Sequence, residues 1–228
     1  MLSAIAREVI AREVIERGMH NDAERESNAP DHLTSSPHAR KEPFGLLWTW
    51  WQGDEQPEYP ALKGLSIQQS NDRNLMRRYM MLTPADITHR LKEGHRVYLA
   101  AIDDTIVAYG WSAIGKAAFG SPTILFQVPA RNRYLYHFVT LPPWRGQGIY
   151  PRLLQAIIEH ESNKSERFWI IHQQRNTASR RGIASAGFHI AGQISGTQYE
   201  KYVIAGEDEQ RAQAGATLLG LPLHHTYE

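Results

Sequence analysis

The run Tyr134-Leu135-Tyr136-His137-Phe138-Val139-Thr140-Leu141-Pro142-Pro143-Trp144-Arg145-Gly146-Gln147-Gly148-Ile149-Tyr150-Pro151 decides how this chain is read. Its first half is rich in β-branched and aromatic residues and reads as a strand ending at Thr140. Two prolines and two glycines then break the strand pattern. Pro151 suits the first turn of a helix, and Leu153, Leu154, Ile157 and Ile158 recur at helical spacing, so a helix is expected to about Glu161. Strand, glycine turn and helix in that order make an anion site. Glycines let main-chain N–H groups face a ligand without a Cβ in the way, and the helix start adds unpaired N–H groups and a positive dipole end. Arg145 adds a cationic contact to such a site.

Downstream, Arg167 to Gln173 reads as a strand and Thr177 to Ala186 as a helix closed by Gly187. Strand-like runs follow at 188–195 and 198–204. Upstream, Gly45 to Trp51 is an apolar, aromatic strand. Residues 75–96 are helical, with Thr83-Pro84 as the N-cap and first-turn pair of a helix over 84–93. Residues 97–102 and 105–112 form a hairpin about Asp103-Asp104. Gly120, Pro122 and Pro129 mark 115–131 as irregular. The expected architecture is an α/β (α+β) domain with a mixed, largely antiparallel central sheet flanked by helices.

Working outward, Ala6-Arg7-Glu8-Val9-Ile10 repeats as Ala11-Arg12-Glu13-Val14-Ile15 and reads as a helical extension. Polar residues with Pro30, Pro37 and Pro43 follow as a linker. The expected organisation is therefore an N-terminal helix and linker over 1–43, a domain over 44–206 and a C-terminal tail over 207–228. The chain has 228 residues, a net charge of +1, 42% apolar content and no cysteine. It is long enough to bury a core without staples. The charge balance argues against nucleic-acid binding, and the missing cysteines exclude disulfides, thiolate nucleophiles and Cys-ligated metal. No apolar run approaches membrane-span length, and Arg7, Glu8, Arg12 and Glu13 interrupt any signal-peptide pattern. The expectation is a cytoplasmic protein without membrane or nucleic-acid partners.

Several nucleotide and hydrolase patterns fail on spacing. G-x-x-x-x-G-K-[ST] is absent, the third glycine of G-x-G-x-x-G falls at Pro151, and Gly110-Trp111-Ser112-Ala113-Ile114 lacks the last glycine of G-x-S-x-G.

The glycine turn resembles the pyrophosphate loop [RQ]-x-x-G-x-[GA] of the GNAT superfamily of acyl-CoA-dependent N-acetyltransferases. A second hallmark, N-x-x-[AS] followed by G-F, is matched by Asn176-Thr177-Ala178-Ser179 and Gly187-Phe188. The resemblance spans about 44–205 and is strongest over 134–190. It implies that two central strands, here about 134–141 and 167–173, splay to admit the pantetheine of acetyl-CoA. Val139, Thr140 and Leu141 would then bond the pantetheine and polarise the thioester through the main chain. Arg145, Gly146, Gln147, Gly148, Ile149 and Tyr150 would hold the pyrophosphate, with Asn176 on the pantetheine and Ser179 nearby. The implied reaction is direct attack of an amine on the thioester, with acetyl-CoA as co-substrate and no metal.

Three departures from the family pattern stand out. Tyr150 occupies a small-residue position. Ile183 stands where many members carry the acidic tyrosine seven residues after the asparagine, with Tyr199 or Tyr202 as substitutes. The strand before the loop lacks a carboxylate and offers Tyr136 and His137 as catalytic candidates. Regular alternation puts these two on opposite faces unless a bulge intervenes.

Other residues leave alternatives open. Trp48, Trp50 and Trp51 line an acceptor pocket or belong to core or a subunit contact. Trp111 and Trp169 read as core. Arg180 and Arg181 reach a CoA phosphate or lie on a solvated helix face. His224-His225 has no ligand cluster to complete a metal site. A homodimer through the N-terminal helix or the tryptophans is possible. The acceptor is expected to be a small amine. The alternatives are a CoA-binding module without turnover, or a protein amine as acceptor.

Overall fold

The structure, a computed structural model, describes residues 44–120, 123–197 and 200–225. The N-terminal repeat, the linker and Tyr199 lie outside the described residues. Among the described residues, eleven strands and five α-helices follow in order: β1 Gly45–Trp51, β2 Leu65–Ser70, α1 Arg73–Tyr79, α2 Pro84–Lys92, β3 Arg96–Ile102, β4 Thr105–Ala113, β5 Gly115–Phe119, β6 Ile124–Val128, β7 Asn132–Thr140, α3 Ile149–Glu161, β8 Arg167–Gln173, α4 Thr177–Ser185, β9 His189–Gly196, β10 Lys201–Ala205, α5 Glu209–Leu219 and β11 Leu223–His224.

Nine strands form the main sheet in the order β11-β10-β9-β1-β8-β7-β4-β3-β2. Only β7–β8 and β10–β11 are parallel; the rest of the ladder is antiparallel. The expected mixed, largely antiparallel sheet is what the chain builds. Helix α3 lays Leu153, Leu154, Ile157 and Ile158 on one face of the sheet, where Ile183 and Phe188 join them. On the opposite face, α1 and α2 cover β3 and β4 through Met76, Met80 and Ile87. Helix α5 and the β5–β6 hairpin cover the other half of that face through Ala216, Leu219, Ile124 and Phe126.

Local chemistry explains the helix starts. Thr83 and Asp86 form a reciprocal capping box ahead of Pro84. Asp72 caps α1 and Asp208 caps α5. Asp103 and Asp104 both take positive φ, as a two-residue hairpin turn requires.

Two expectations are corrected. Residues 115–131 are a hairpin, paired from Gly115↔Val128 to Phe119↔Ile124. Gly120 directly follows its first strand and Pro129 its second. Outward-facing Leu125, 77% exposed, hides the alternation of Ile124, Phe126 and Val128 in the sequence. The segment read as a C-terminal tail carries α5 and β11, packed on the sheet. The inner face of α5 is small: a Cβ at Gly215 would meet Leu47 Cδ2 at 2.5 Å, so glycine there lets the helix close on β1. Arg211 ties it down further, with Nη2 2.6 Å from Asp54 Oδ1 and Nε 2.9 Å from Asp208 Oδ2. Such a face gives little hydrophobic periodicity to read.

The trailing end of α3 is pinned by a buried charge. Glu161 is fully buried and accepts from Arg96 Nη1 (3.0 Å), Tyr98 Oη (3.0 Å) and Arg133 Nε. Removing one partner of such a cluster leaves an uncompensated charge in the interior. Glu161→Ala is therefore expected to cost roughly 3–5 kcal/mol, and Glu161→Gln less, in urea denaturation monitored by circular dichroism.

Candidate active site

Strands β7 and β8 pair from Asn132↔Arg167 only as far as Leu135↔Ile170. Beyond that point each continues beside its other neighbour. β7 runs on with β4 to Ala108↔Thr140, and β8 with β1 to Gly45↔Gln173. A wedge-shaped gap opens between them.

Its origin is a bulge. Tyr136 pairs with Trp111 and Val139 with Tyr109, so His137 and Phe138 together oppose Gly110. His137 takes φ +52°, and the Phe138 ring lies where a side chain at position 110 would stand. The alternation therefore breaks. Tyr136, His137 and Val139 all face α1–α2, while Phe138 turns to the α3 face and packs 5.3 Å from Tyr150. Unbroken alternation would have put Tyr136 and His137 on opposite faces.

The main chain at the end of β7 follows from one bond. Leu141 N–H donates to Val107 O at 2.8 Å. Antiparallel pairing alternates, so Val139 also exchanges bonds with β4, and the Thr140 N–H and C=O point away from β4 into the gap. The Thr140 carbonyl accepts from Arg145 Nε at 3.1 Å, and the Leu141 carbonyl from Trp144 N at 2.9 Å. The Leu141 N–H is thus taken up by β4 and its carbonyl by the turn that follows. The Thr140 N–H is the one directed into the gap.

A 3-10 turn, Pro142–Trp144, leads into the glycine loop. Gly146 and Gly148 take φ +79° and +69°, and Gly148 caps α3 without a side-chain bond. The N–H groups of Gly148, Ile149 and Tyr150 precede the first bond of the helix, and Pro151 has no N–H to satisfy. A Cβ at Gly146 would meet nothing within 4 Å, so the loop faces open space. Gln147 Nε2 donates to Pro143 O at 3.3 Å, and Arg152 holds the helix start through Gly148 O and Pro60 O at 2.9 and 2.7 Å. Ile149 is buried and anchors the loop. An exposed turn of donors without a side-chain cap fits a pyrophosphate.

Tyr150 keeps this loop intact by turning inward. Its ring covers Gly182 of α4 so closely that a Cβ there would collide with it. Burial raises its hydroxyl pKa. Asn176 is the N-cap of α4, its Oδ1 accepting from Ser179 N at 3.0 Å. The Asn-x-x-Ser motif is thus a helix cap here, and the Nδ2 end of Asn176 is what is left to meet a ligand. Arg180 and Arg181 are exposed on that helix.

Tyr202, one of the two substitutes for the missing acid, does not reach the gap. Ile183 is fully buried in the α3-side core. Tyr202 stacks on His224 at 4.3 Å on β10, three strands away from β8. His225 pairs with Glu209 at 3.4 Å. Trp48 and Trp50 are core, as are Trp111 and Trp169. Trp51 is held by Arg167 and Arg211 at 4.2 and 4.6 Å, at the end of β1 away from the gap.

On the α1–α2 side of the gap lies a cluster the sequence reading only half found. Arg90 of α2 donates from Nη1 to His137 Nδ1 at 2.9 Å, its guanidinium 5.1 Å from both the Trp111 and Tyr136 rings. Arginine stays protonated, so His137 Nδ1 must accept and the ring proton sits on Nε2. Burial, with the Arg90 charge adding to it, lowers the His137 pKa to about 4. His137 is therefore a neutral hydrogen-bond donor at neutral pH, and its Nδ1 lone pair is unavailable for the base role expected from sequence.

Tyr136 Oη lies 2.7 Å from His95 Nδ1, and His95 Nε2 lies 3.3 Å from Lys116 O. The carbonyl only accepts, so His95 carries its proton on Nε2 and Tyr136 donates to Nδ1. Burial holds the His95 pKa below the usual imidazole value, with Arg90 acting the same way, and burial pushes Tyr136 up to about 12. Nothing in the local sequence joins His95 or Arg90 to Tyr136, which lies more than forty residues on. His172 on β8 was also missed. Its Nδ1 lies 2.8 Å from the Gln173 carbonyl, while Nε2 is buried without a partner.

Among the described residues, no group of three His, Asp or Glu side chains could hold a metal ion, and no helix is long and apolar enough to cross a membrane.

The family model described as "Acetyltransferase (GNAT) family" matches residues 46–188. No curated protein matches the chain. Among solved structures, it is similar to a GNAT-family acetyltransferase from Colwellia psychrerythraea, at 16% identity over 67% of this chain and 55% of that one, TM-score 0.47. It is similar to a GCN5-related N-acetyltransferase from Kribbella flavida, at 16% identity over 64% and 54%, TM-score 0.44. A third is AAC(6')-Iy in complex with the bisubstrate analogue CoA-S-monomethyl-acetylneamine, at 18% identity over 55% and 90%, TM-score 0.44. The chain thus spans about half the length of the first two.

The lowered pKa of His137 has a measurable consequence. Unfolded, this imidazole takes a proton near pH 6.5; folded, it resists until about pH 4. Its contribution to stability is complete above pH 6.5 and is lost as pH falls toward 4. The loss is up to about 3 kcal/mol. Asparagine tolerates positive φ and can accept from Arg90, but does not titrate. His137→Asn is expected to flatten the fall in melting temperature between pH 6.5 and 4 relative to the parent.

Proposed function

This chain belongs to the GNAT acetyltransferase family, and from that we propose that it transfers an acetyl group from acetyl-CoA to the amine of a small molecule. The observation that carries the proposal is the gap between β7 and β8, opening beside the exposed glycine loop at the start of α3. Bound acetyl-CoA supplies an activated acetyl thioester. Gly146 to Tyr150 hold its pyrophosphate by main-chain donors and the helix dipole, and the Thr140 N–H bonds the pantetheine. From Thr140 to Tyr136 the strand rises about 13 Å, which brings the reacting end of an extended arm to the bulge.

An amine attacks only when neutral. The Tyr136–His95 pair offers the proton a route out. The Tyr136 oxygen takes the amine proton as its own passes to His95 Nδ1, and the lowered basicity of His95 lets it release that proton to solvent. The thiol leaving group has a reference pKa of about 8.5, so it departs as thiolate without a tyrosine at position 183. A CoA-binding module without turnover is the second reading, favoured by the burial of Ile183.

Gly146→Asp puts a carboxylate into the open side of the loop, in a conformation that Asp tolerates. Calorimetry with acetyl-CoA is expected to show binding to the parent and at least about tenfold weaker binding to the variant. A folded parent that does not bind would contradict the proposal. For turnover, Tyr136→Phe and His95→Gln are each expected to lower kcat by about 10²-fold or more with acetyl-CoA affinity unchanged. Tight CoA binding without thiol release from any amine would favour the non-catalytic reading.

A further inference from the structure

We propose that the acceptor amine also carries an oxyanion, a carboxylate or phosphate, and that Arg90 holds it on the α1–α2 side of the gap. The inference rests on the acyl-transfer reading and names its substrate class.

Arg90 is half-buried; its Nη1 donates to His137, and its guanidinium also acts on the Tyr136 hydroxyl. Among the described residues no carboxylate lies within ion-pair distance of it, unlike Arg96, Arg133 and Arg211, which all pair with acids. The nearest acids on or beside its helix make no ion pair with it, although the Arg90 charge helps to lower the Asp86 pKa. Asp86 is locked in the capping box with Thr83, and Glu93 is exposed at the C-cap. Withdrawing a guanidinium from water without a counter-charge is costly. Here two aromatic rings hold it in place instead.

Arginine has five N–H donors, and the contacts to His137 and Tyr136 leave most of them for a ligand. The remaining fork matches an oxyanion bidentately. His137 adds a second donor, because its bond to Arg90 fixes the ring proton on Nε2. His137 stands on the stretch of β7 that has left β8, and Arg90 reaches it from α2, at the bulge where the thioester end of an extended arm arrives. The cluster combines a fixed cation, a neutral donor and the rings of Tyr109, Trp111 and Tyr136, with no acid in it. A polycationic acceptor would be repelled by it. An amine with an oxyanion a short chain away gains a counter-charge while its nitrogen reaches Tyr136.

The test titrates matched pairs into the full-length protein, with and without saturating CoA, by calorimetry. The pairs are L-phenylalanine and L-phenylalaninamide, and 2-aminoethyl phosphate and ethanolamine, with spermidine as the polycation. Thiol release from acetyl-CoA is followed in parallel. The expected result is that one oxyanion member binds at least about tenfold tighter than its neutral partner. Arg90→Gln removes that preference by raising KM, leaving the neutral member and acetyl-CoA affinity within about twofold. Arg90→Lys keeps part of it. The pair that shows the preference separates carboxylate from phosphate. Equal loss for both members of a pair in Arg90→Gln, a preference for the neutral member or spermidine, or no binding by either oxyanion member would overturn the inference. Failure of acetyl-CoA to bind or to release thiol strikes the acyl-transfer reading instead, and the CoA-free titrations still decide the role of Arg90.

Discussion

One extra residue in one strand organises the candidate site. Across from Gly110, β7 must fit both His137 and Phe138, and it can do so only because position 110 has no side chain. The bulge bends β7 off its ladder with β8, and the last shared pair is Leu135↔Ile170. Everything chemical lies downstream of that separation. The Thr140 N–H has no strand to bond, the glycine loop is delivered to the mouth of the gap, and two consecutive side chains, Tyr136 and His137, share one face.

That shared face changes what the residues can do. Alone, a strand histidine is an attractive base near neutral pH. Beside Arg90 it becomes a neutral donor with a fixed tautomer, and in the proposed reaction the proton route moves to Tyr136 and His95. The same logic governs the departures from the family pattern. Tyr150 is accommodated because α4 carries Gly182 beneath its ring, so a bulky residue at a small position leaves the loop donors exposed. Ile183 fills core, so in the proposed reaction the leaving group departs on the acidity of the thiol itself.

Local features of the sequence were legible. The strand 167–173, the helix to Glu161, the Thr83 cap and the Asp103-Asp104 turn each depend on residues close together in the chain. The glycine loop was legible for the same reason. The bulge was not, because it needs Gly110 to be matched with Phe138 across two strands. Arg90 and His95 were missed because only the packing of α2 against β4 and β7 brings them to Tyr136. Helix α5 escaped because most of its buried face is Ala212, Gly215 and Ala216, which pack closely but carry little apolar signal, with leucines only at its end, Leu218 and Leu219. The role of the Asn176 motif was legible only as a ligand contact. Its capping of α4 is a local bond that the spacing to Ser179 also encodes.

The account stands on the splayed strands and the glycine loop forming one continuous site. Hydrogen–deuterium exchange of the full-length protein with and without saturating acetyl-CoA tests this most directly. Slowed exchange at Thr140 and at Gly148 to Tyr150, with β10 and α5 unchanged, is the predicted result. Exchange unaltered at those amides, or protection confined to other parts of the sheet, would contradict it.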